Sequence, residues 1–352
     1  MIYNIKLTTL SPVHIGGSNE EITSSGYFYN NGNLYIIDLY KLAYRLNELG
    51  LWEKYSEAGT PSISDFLNKN RNRLDANIID FVKSISRRVL PSYYRNFSEG
   101  NVIKENIIDM LENRPFIPGS SLKGALRTAI LNTMWGYDDN RLKLNNGFDV
   151  NNSSNFMQNI LRTSVYGYSP SANTDIFKAV KVSDLFSNDE NISAIYRVDT
   201  VNKTSTGRYS REIVGYEIYR ECIKPNVTFA GTLIIDEYTA KKLNVRGIAD
   251  VKGTIEKSQS FFKDNLIKEE ERFHGVSNYF NEIKTGGANF RLGFGCGIEN
   301  NTVIELLNDD NRMKVANTFK KLKNKGLFPV SKRIIMDGGK YWTMGWCKLE
   351  IG

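Results

Sequence analysis

The sequence predicts an α+β protein made of two units, each with an antiparallel sheet. Its 352 residues are too many for a typical single domain and suit two. Hydrophobic residues make up 41% of the chain and charged residues 24%, which gives a sizeable core and an ordinary polar surface. Twice along the chain, strand-like alternation precedes helical spacing. We therefore predict domains at 1–175 and 176–352, and exclude wholesale disorder and a collagen-like fibre.

The first unit opens with strands. Residues 2–10 alternate apolar and polar side chains, and 26–38 reads as a hairpin because Asn31-Gly32 separates two aromatic-rich runs. Asp38 is a helix N-cap, and the apolar spacing that follows it ends at Gly50. Helical patterns follow at 63–69 and 74–87.

A turn followed by a helix comes next. Pro115 and Pro118 exclude a helix before Ser120 or Ser121 can cap one, and the amphipathic pattern then predicts a helix over 122–134. After this helix, residues 138–174 are rich in Asn, Asp, Ser and Gly. We predict an inserted excursion there.

The second unit begins with another set of strands and ends with helices and one more strand. We predict strands at 178–182, 194–201, 213–223, 227–236 and 346–351, a long helical region at 255–283 and a basic helix at 311–325. No strict sequence repeat relates this unit to the first.

Charge and residue types narrow the classes of function. The net charge of +7 and pI near 9.0 favour a polyanionic partner. Three cysteines without short spacing and two histidines predict no disulfide framework, no multi-histidine or thiolate metal site and no cofactor. Neither a signal peptide nor a membrane-spanning run is evident, so we expect a cytoplasmic protein with no membrane contact.

Two segments are candidate phosphate sites. The helix start at Ser120 and Ser121, with Lys123 and Arg127 one turn apart, can bind a phosphate through free backbone N–H groups, although capping alone also explains the serines. The segment 286–297 holds five glycines that can bring backbone N–H groups close to phosphates. It is not a dinucleotide fingerprint, and a tight β-turn explains it equally well.

Other residues suggest RNA contact or RNA chemistry. His14 follows the first strand and can serve as a general base on a ribose 2′-hydroxyl, while a structural hydrogen bond is the commoner role of a single histidine. Aromatic residues next to basic ones, as in 93–95, 209–211 and 216–220, can stack on unpaired bases or pack across strands. No spacing of acidic residues singles out a catalytic pair.

Three segments together resemble the RAMP superfamily of CRISPR-associated RNA-binding proteins. They are LSPVHIGG at 10–17, FIPGSSLKGALRTAIL at 116–131 and GGANFRLGFGCG at 286–297. Their order and spacing resemble the Csm-type subunit that caps the crRNA 3′-end side of type III-A effector complexes. The resemblance leaves 138–174 unmatched.

The resemblance implies two ferredoxin-like (RRM-like) domains, with the C-terminal glycine-rich loop beside the RNA-binding face. It implies a non-catalytic, RNA-binding subunit of antiviral defence that binds the 3′ region of crRNA and supports crRNA maturation. The implied partners are crRNA, the repeating backbone subunit and host nucleases. A guide-processing endoribonuclease using His14 is the alternative. By this resemblance, the predicted RNA-binding residues are Gly119, Ser120, Ser121, Lys123, Gly124, Arg127, Lys284, Arg291, Gly293, Gly295 and Gly297.

Overall fold

The computed structural model describes residues 1–94, 97, 100–136, 172–243, 250–273, 279–318, 329–337 and 340–352. The predicted excursion at 138–174 lies outside the described residues except for a 3-10 turn at Ala172–Thr174. The second half of the helix predicted at 311–325 also lies outside them.

The described residues form a mixed α+β structure, as the sequence predicts. The strands are β1 (Ile2–Thr9), β2 (Gly16–Ile22), β3 (Tyr27–Asn30), β4 (Asn33–Ile37), β5 (Ser86–Pro91), β6 (Ile103–Asn106), β7 (Ile108–Asp109), β8 (Arg114–Pro115), β9 (Val180–Val182), β10 (Ser193–Lys203), β11 (Tyr209–Ile213), β12 (Ile218–Ile223), β13 (Thr228–Ile235), β14 (Phe290–Arg291), β15 (Ser331–Asp337), β16 (Lys340–Thr343) and β17 (Trp346–Ile351). The helices are α1 (Leu39–Glu48), α2 (Trp52–Glu57), α3 (Ile63–Lys69), α4 (Ile78–Ile85), α5 (Gly119–Gly136), α6 (Glu237–Leu243), α7 (Val251–Arg272), α8 (Tyr279–Thr285), α9 (Ile298–Asn301) and α10 (Asp309–Thr318).

Local signals placed the early elements correctly. The hairpin β3–β4 turns at Asn31 and Gly32, whose φ angles of 48° and 80° are those of a type I′ turn. The Asp38 side chain accepts hydrogen bonds from the backbone N–H groups of Tyr40 and Lys41 and so caps α1. The terminal strand β17 also has its predicted bounds.

Three of the predicted elements have different bounds in the structure. The helix predicted at 74–87 ends at Ile85, because the chain from Ser86 onward pairs with β4 as strand β5. The strand predicted at 213–223 is interrupted, with Gly215 at φ +85° between β11 and β12. The helical region predicted at 255–283 consists of the separate helices α7 and α8.

The first sheet is antiparallel and has the order β14-β17-β1-β13-β9. Helix α5 lies between β1 and β9 in the chain, and α7 lies between β13 and β17, so these elements follow the order β-α-β-β-α-β with long insertions. Apolar residues of both helices, including Leu126 and Phe262, share a core with Leu7 and Phe229 of the sheet. The helices therefore cover one face of this sheet.

The second sheet has the order β16-β15-β10-β12-β6-β2, and β11 pairs with β10. Its β12–β6 pair is parallel, with Tyr219 opposite Ile103, so the prediction of purely antiparallel sheets is wrong at this pair. Both large sheets combine strands from the two halves of the chain: β1 lies inside the first, and β2 and β6 form one edge of the second. The predicted boundary at 175 and 176 therefore does not separate the sheets.

A smaller layer is inserted between β2 and β6. The antiparallel sheet β3-β4-β5 packs against helices α1 to α4 around its own apolar core, which includes Phe28, Leu42, Leu46, Phe66 and Phe81. This layer meets the second sheet through a buried ion network. Arg88 of β5 contacts Glu105 at 2.5 Å and Glu221 at 2.7 Å.

Candidate nucleic-acid interface

The N-terminus of α5, a predicted phosphate site, is occupied by a carboxylate of the chain itself. The Gly119 N–H donates to Asp184 Oδ1 at 2.8 Å. A Cβ at position 119 would lie 2.3 Å from the Val182 carbonyl oxygen, so glycine lets the helix start close to the chain that follows β9. Asp184 therefore takes the position predicted for a phosphate.

The cations of the same helix also face internal partners. Lys123 Nζ donates to the Val180 carbonyl at 2.6 Å, and Arg127 pairs with Asp175 at 2.7 Å. Burial lowers the pKa of Lys123. The contacts of Lys123 and Arg127 are thus within the chain, while Ser120 and Gly124 lie exposed and Ser121 half-buried on the first turns of α5.

The buried location of Arg291 corrects its predicted role. Its side chain is 0% exposed, its Nη1 contacts Glu269 Oε2 at 2.7 Å, and its guanidinium lies 4.2 Å from the centroid of the Trp346 ring. Lys332 pairs with the same carboxylate. Burial alone would raise the pKa of Glu269, but Arg291 and Lys332 outweigh it and lower this pKa to about 2. Arg291 therefore has no surface to offer a phosphate and holds a buried ion cluster together.

The glycine-rich segment packs against the residues around His14. Gly293 has φ +90°, and a Cβ there would lie 2.5 Å from the His14 carbonyl oxygen, which accepts the Phe294 N–H at 2.7 Å. Gly295 and Gly297 have φ +82° and +85°. The positive φ angles and close packing account for these glycines without a bound phosphate.

The remaining cation predicted at this segment lies on α8. Lys284 forms an exposed ion pair with Glu270 of α7. An exposed pair of this kind contributes little stability and leaves both side chains in reach of solvent.

Both ring nitrogens of His14 are engaged. The side chain is 1% exposed, and Nδ1 lies 2.8 Å from the Glu221 carbonyl oxygen. A carbonyl only accepts, so Nδ1 carries the proton and Nε2 accepts from Arg220 Nη1 at 2.7 Å. Burial lowers the pKa of His14 to about 4. A neutral ring whose free lone pair is already bonded to a guanidinium is poorly arranged for general-base catalysis.

A basic cleft opens beside His14. Its volume is about 350 Å³, and its charged or polar lining comes from the segment between β1 and β2 and from β5, β6 and β12. Lys104 pairs with Glu21, and Arg87 with Glu105 at 2.8 Å. The lining includes His14, Arg87, Lys104, Glu105, Asn106 and Arg220.

Arg220 is a cation without a carboxylate partner among the described residues. It ends the aromatic and basic segment 216–220 and is absent from the RNA-binding residues that the family resemblance implies. Besides its bond to His14, its guanidinium lies 3.6 Å from the centroid of the Phe294 ring. Two predicted motifs, the residues around His14 and the glycine-rich segment, therefore position this guanidinium at the cleft. No sequence spacing could reveal it, because the three residues come from distant parts of the chain.

Within the described ranges, no group of three or more His, Cys, Asp and Glu side chains is arranged to hold a metal ion. Cys222, Cys296 and Cys347 are buried free thiols. A search of the same ranges finds no helix with the length and apolar character needed to cross a membrane.

Comparison with known proteins defines the class of this fold. The family model described as the RAMP superfamily matches residues 6–300. The chain belongs to the RAMP superfamily.

Relatives narrow the assignment to Csm5 proteins. A protein of Streptococcus thermophilus named "CRISPR system Cms protein Csm5" is 30% identical over 275 residues, covering 74% of this chain and 70% of the relative. A protein of the same name from Methanocaldococcus jannaschii is 25% identical over 390 residues, covering 99% of this chain and 88% of the relative. Within the superfamily, the chain therefore belongs to the Csm5 family.

Solved structures share the fold. One chain of a structure titled "Cryo-EM structure of Csm-crRNA-target RNA ternary complex in type III-A CRISPR-Cas system" aligns with a TM-score of 0.73 at 23% identity, covering 99% of this chain and all of that one. The crystal structure of T. onnurineus Csm5 aligns with a TM-score of 0.66 at 19% identity, covering 97% and 99%.

Proposed function

We propose that this chain is a non-catalytic RNA-binding subunit of a type III-A CRISPR effector complex, binding the 3′ region of crRNA. In this proposal it caps the filament of repeating backbone subunits in the cytoplasm, supports crRNA maturation with host nucleases and so serves antiviral defence. The Csm5 relatives, the similarity to a chain of a Csm–crRNA complex and the net charge of +7 support it.

The proposal includes the ferredoxin-like architecture of the superfamily. The first sheet supplies one such unit, built from β1, α5, β9, β13, α7 and β17. The second large sheet is the counterpart of the other unit, so the two units correspond to sheets rather than to halves of the chain. Ser120, Ser121, Gly124 and Lys284, which remain exposed or half-buried, stay in the proposed RNA-binding set.

The observation that carries the non-catalytic assignment is the geometry of His14. The cleft offers a polyanion the guanidinium of Arg220, but its histidine donates through Nδ1 and accepts from Arg220 through Nε2. Such a site favours binding over proton transfer.

Two experiments test the proposal. In the first, the chain is co-expressed with the other subunits of its complex and a repeat-spacer RNA, purified through a tag on this chain, and crosslinked before the bound RNA is sequenced. We expect a multisubunit particle with crosslinks at the 3′ region of crRNA. A lone chain without RNA would contradict the proposal.

The second experiment tests catalysis directly. The purified chain is incubated with labelled repeat RNA in EDTA, alongside the variant His14→Ala. We expect intact RNA with both proteins. Defined cleavage by the wild type that disappears in the variant would support the endoribonuclease alternative and overturn the non-catalytic assignment.

A further inference from the structure

One face of the second sheet carries two half-buried arginines that have no carboxylate partner among the described residues. Between them on this face lies a buried apolar cluster that includes Val198 and Ile335. Arg220 of β12 lies opposite Tyr196 of β10, and Arg333 of β15 lies opposite Thr200 of the same strand. Residues 196 and 200 differ by an even number, so both arginines project from one face of the sheet. At about 3.4 Å per residue, their positions are about 14 Å apart along β10.

The charge of Arg333 acts on the guanidinium of Arg220. Burial, and after it the positive charge of Arg333, lowers the pKa of Arg220. The hydrogen bonds of both arginines are to neutral groups: Arg220 donates to His14, and Arg333 donates to the Thr200 hydroxyl. A bound anion would offset the mutual repulsion of the two cations and supply acceptors for their remaining N–H groups.

An exposed aromatic ring lies beside this pair. Tyr93 stacks on Tyr196, with ring centroids 4.8 Å apart and planes 10° from parallel. Tyr196 is 4% exposed, whereas Tyr93 is 47% exposed and forms the outer ring of the stack. The exposed ring of Tyr93 is thus available to a planar group. The Tyr93 N–H donates to the Ile195 carbonyl on the side of β10 away from β12, so Tyr196 lies between Tyr93 and Arg220.

We infer that Tyr93, Arg220 and Arg333 form a subsite for single-stranded RNA, in which a base stacks on Tyr93 and the two arginines contact the phosphodiester backbone. The inference rests on the proposed RNA-binding function and adds a location to it. Stacking on an aromatic ring beside backbone-neutralising cations is the usual chemistry of single-strand binding. It requires unpaired bases, so a duplex fits this face poorly.

His14 and Phe294 position the subsite. The Nε2 lone pair of His14 and the ring of Phe294 hold the guanidinium of Arg220 in place. The motif around His14 and the glycine-rich segment therefore both act on Arg220, which lies outside both motifs. In this role His14 is a positioning residue.

The test measures binding of the full chain to a fluorescein-labelled single-stranded repeat RNA across a salt series, with the same RNA annealed to its complement for comparison. The variants are Arg220→Gln, Arg333→Gln, Tyr93→Ala and Tyr93→Phe. The charge-matched control is Arg71→Gln, which alters an exposed arginine of the inserted layer. Thermal melting followed by circular dichroism confirms that each variant is folded.

We expect each of Arg220→Gln and Arg333→Gln to reduce the salt slope by about 0.7, the value for one phosphate contact on a single strand. Tyr93→Ala should weaken binding about tenfold, and Tyr93→Phe should retain wild-type binding. The duplex should bind more weakly than the single strand and respond little to Tyr93→Ala.

Two other results would overturn the inference. If the folded variants match Arg71→Gln while the wild type binds single-stranded RNA, the subsite is rejected and the proposed function stands. If the folded variants bind RNA normally but fail to enter the co-expressed complex, this face of the second sheet contacts another protein subunit. Absence of RNA binding by the wild type, both alone and in the complex, would instead reject the proposed function.

Discussion

Replacement of Glu269 by glutamine is expected to destabilise the protein by about 3 kcal/mol at neutral pH. The Glu269 carboxylate forms ion pairs with Arg291, at 2.7 Å, and with Lys332. The side chains of Glu269, Arg291 and Lys332 are 4%, 0% and 3% exposed. Glutamine keeps the shape but removes the charge. Two buried cations would then lack their counter-ion, a situation that typically costs about 3–5 kcal/mol.

The magnitude follows independently from the pKa of Glu269. Its fall from 4.5 to about 2 in the folded state corresponds to about 3 kcal/mol, at about 1.4 kcal/mol per pH unit. Because the folded pKa lies below the unfolded value, the unfolded chain binds the proton first as pH falls. The stabilisation is therefore complete above about pH 4.5 and is lost progressively towards pH 2.

The assay is urea unfolding of the full chain followed by circular dichroism, at pH 7 and at steps between pH 5 and pH 3. The control is Glu53→Gln, which alters an exposed glutamate of α2. The free-energy difference between Glu269→Gln and wild type should shrink as pH falls, and the control should show neither the loss nor the pH dependence. Equal stability of the two variants at pH 7, or a difference independent of pH, would refute the reasoning.

Three further predictions concern residues of the sequence motifs. Gly119→Ala should lower the free energy of unfolding by more than about 2 kcal/mol, because its Cβ would overlap the Val182 carbonyl. Gly124→Ala on the same helix should raise it by up to about 1 kcal/mol, because the added Cβ meets open space. Equal effects of the two substitutions in urea titrations would contradict the packing argument. Arg127→Ala should lower the melting temperature and leave the salt slope of RNA binding unchanged, because Arg127 forms an ion pair with Asp175. A reduced salt slope would show instead that Arg127 contacts a phosphate. The free energy of unfolding of the wild type should fall as pH drops from about 6.5 towards 4. His14 has a folded pKa of about 4, so the ring takes up a proton in the unfolded chain first. If a His14→Asn variant shows the same pH profile, His14 is not the cause.

Elements governed by neighbouring residues were predictable from the sequence. The Asn31-Gly32 turn, the Asp38 cap and the alternation of β13 and β17 have causes within a few residues, and all lie where the patterns place them. The helix predicted at 74–87 is present as α4 but ends at Ile85, because β5 pairs with β4 and such pairing energy is not encoded in a local window.

The candidate site was predictable only in part. The motifs around His14, Gly119 and Gly293 were recognisable, and they mark places where the backbone makes close contacts. Whether a nearby cation faces solvent depends on its partners, and here Arg291 is buried while Arg220 is not paired with a carboxylate among the described residues. A sequence pattern shows which residues are charged but not which of them form ion pairs in the folded chain.

The α+β class, the basic character and the superfamily could be predicted from the sequence, because they depend on composition, periodicity and short motifs. The folded chain was needed to show that both large sheets mix strands from its two halves and that Asp184 fills the predicted phosphate position. It also brought His14, Arg220 and Phe294 together. The physical reason is that strand pairing and ion pairing join residues hundreds of positions apart, and the free energy of those contacts belongs to the folded chain as a whole.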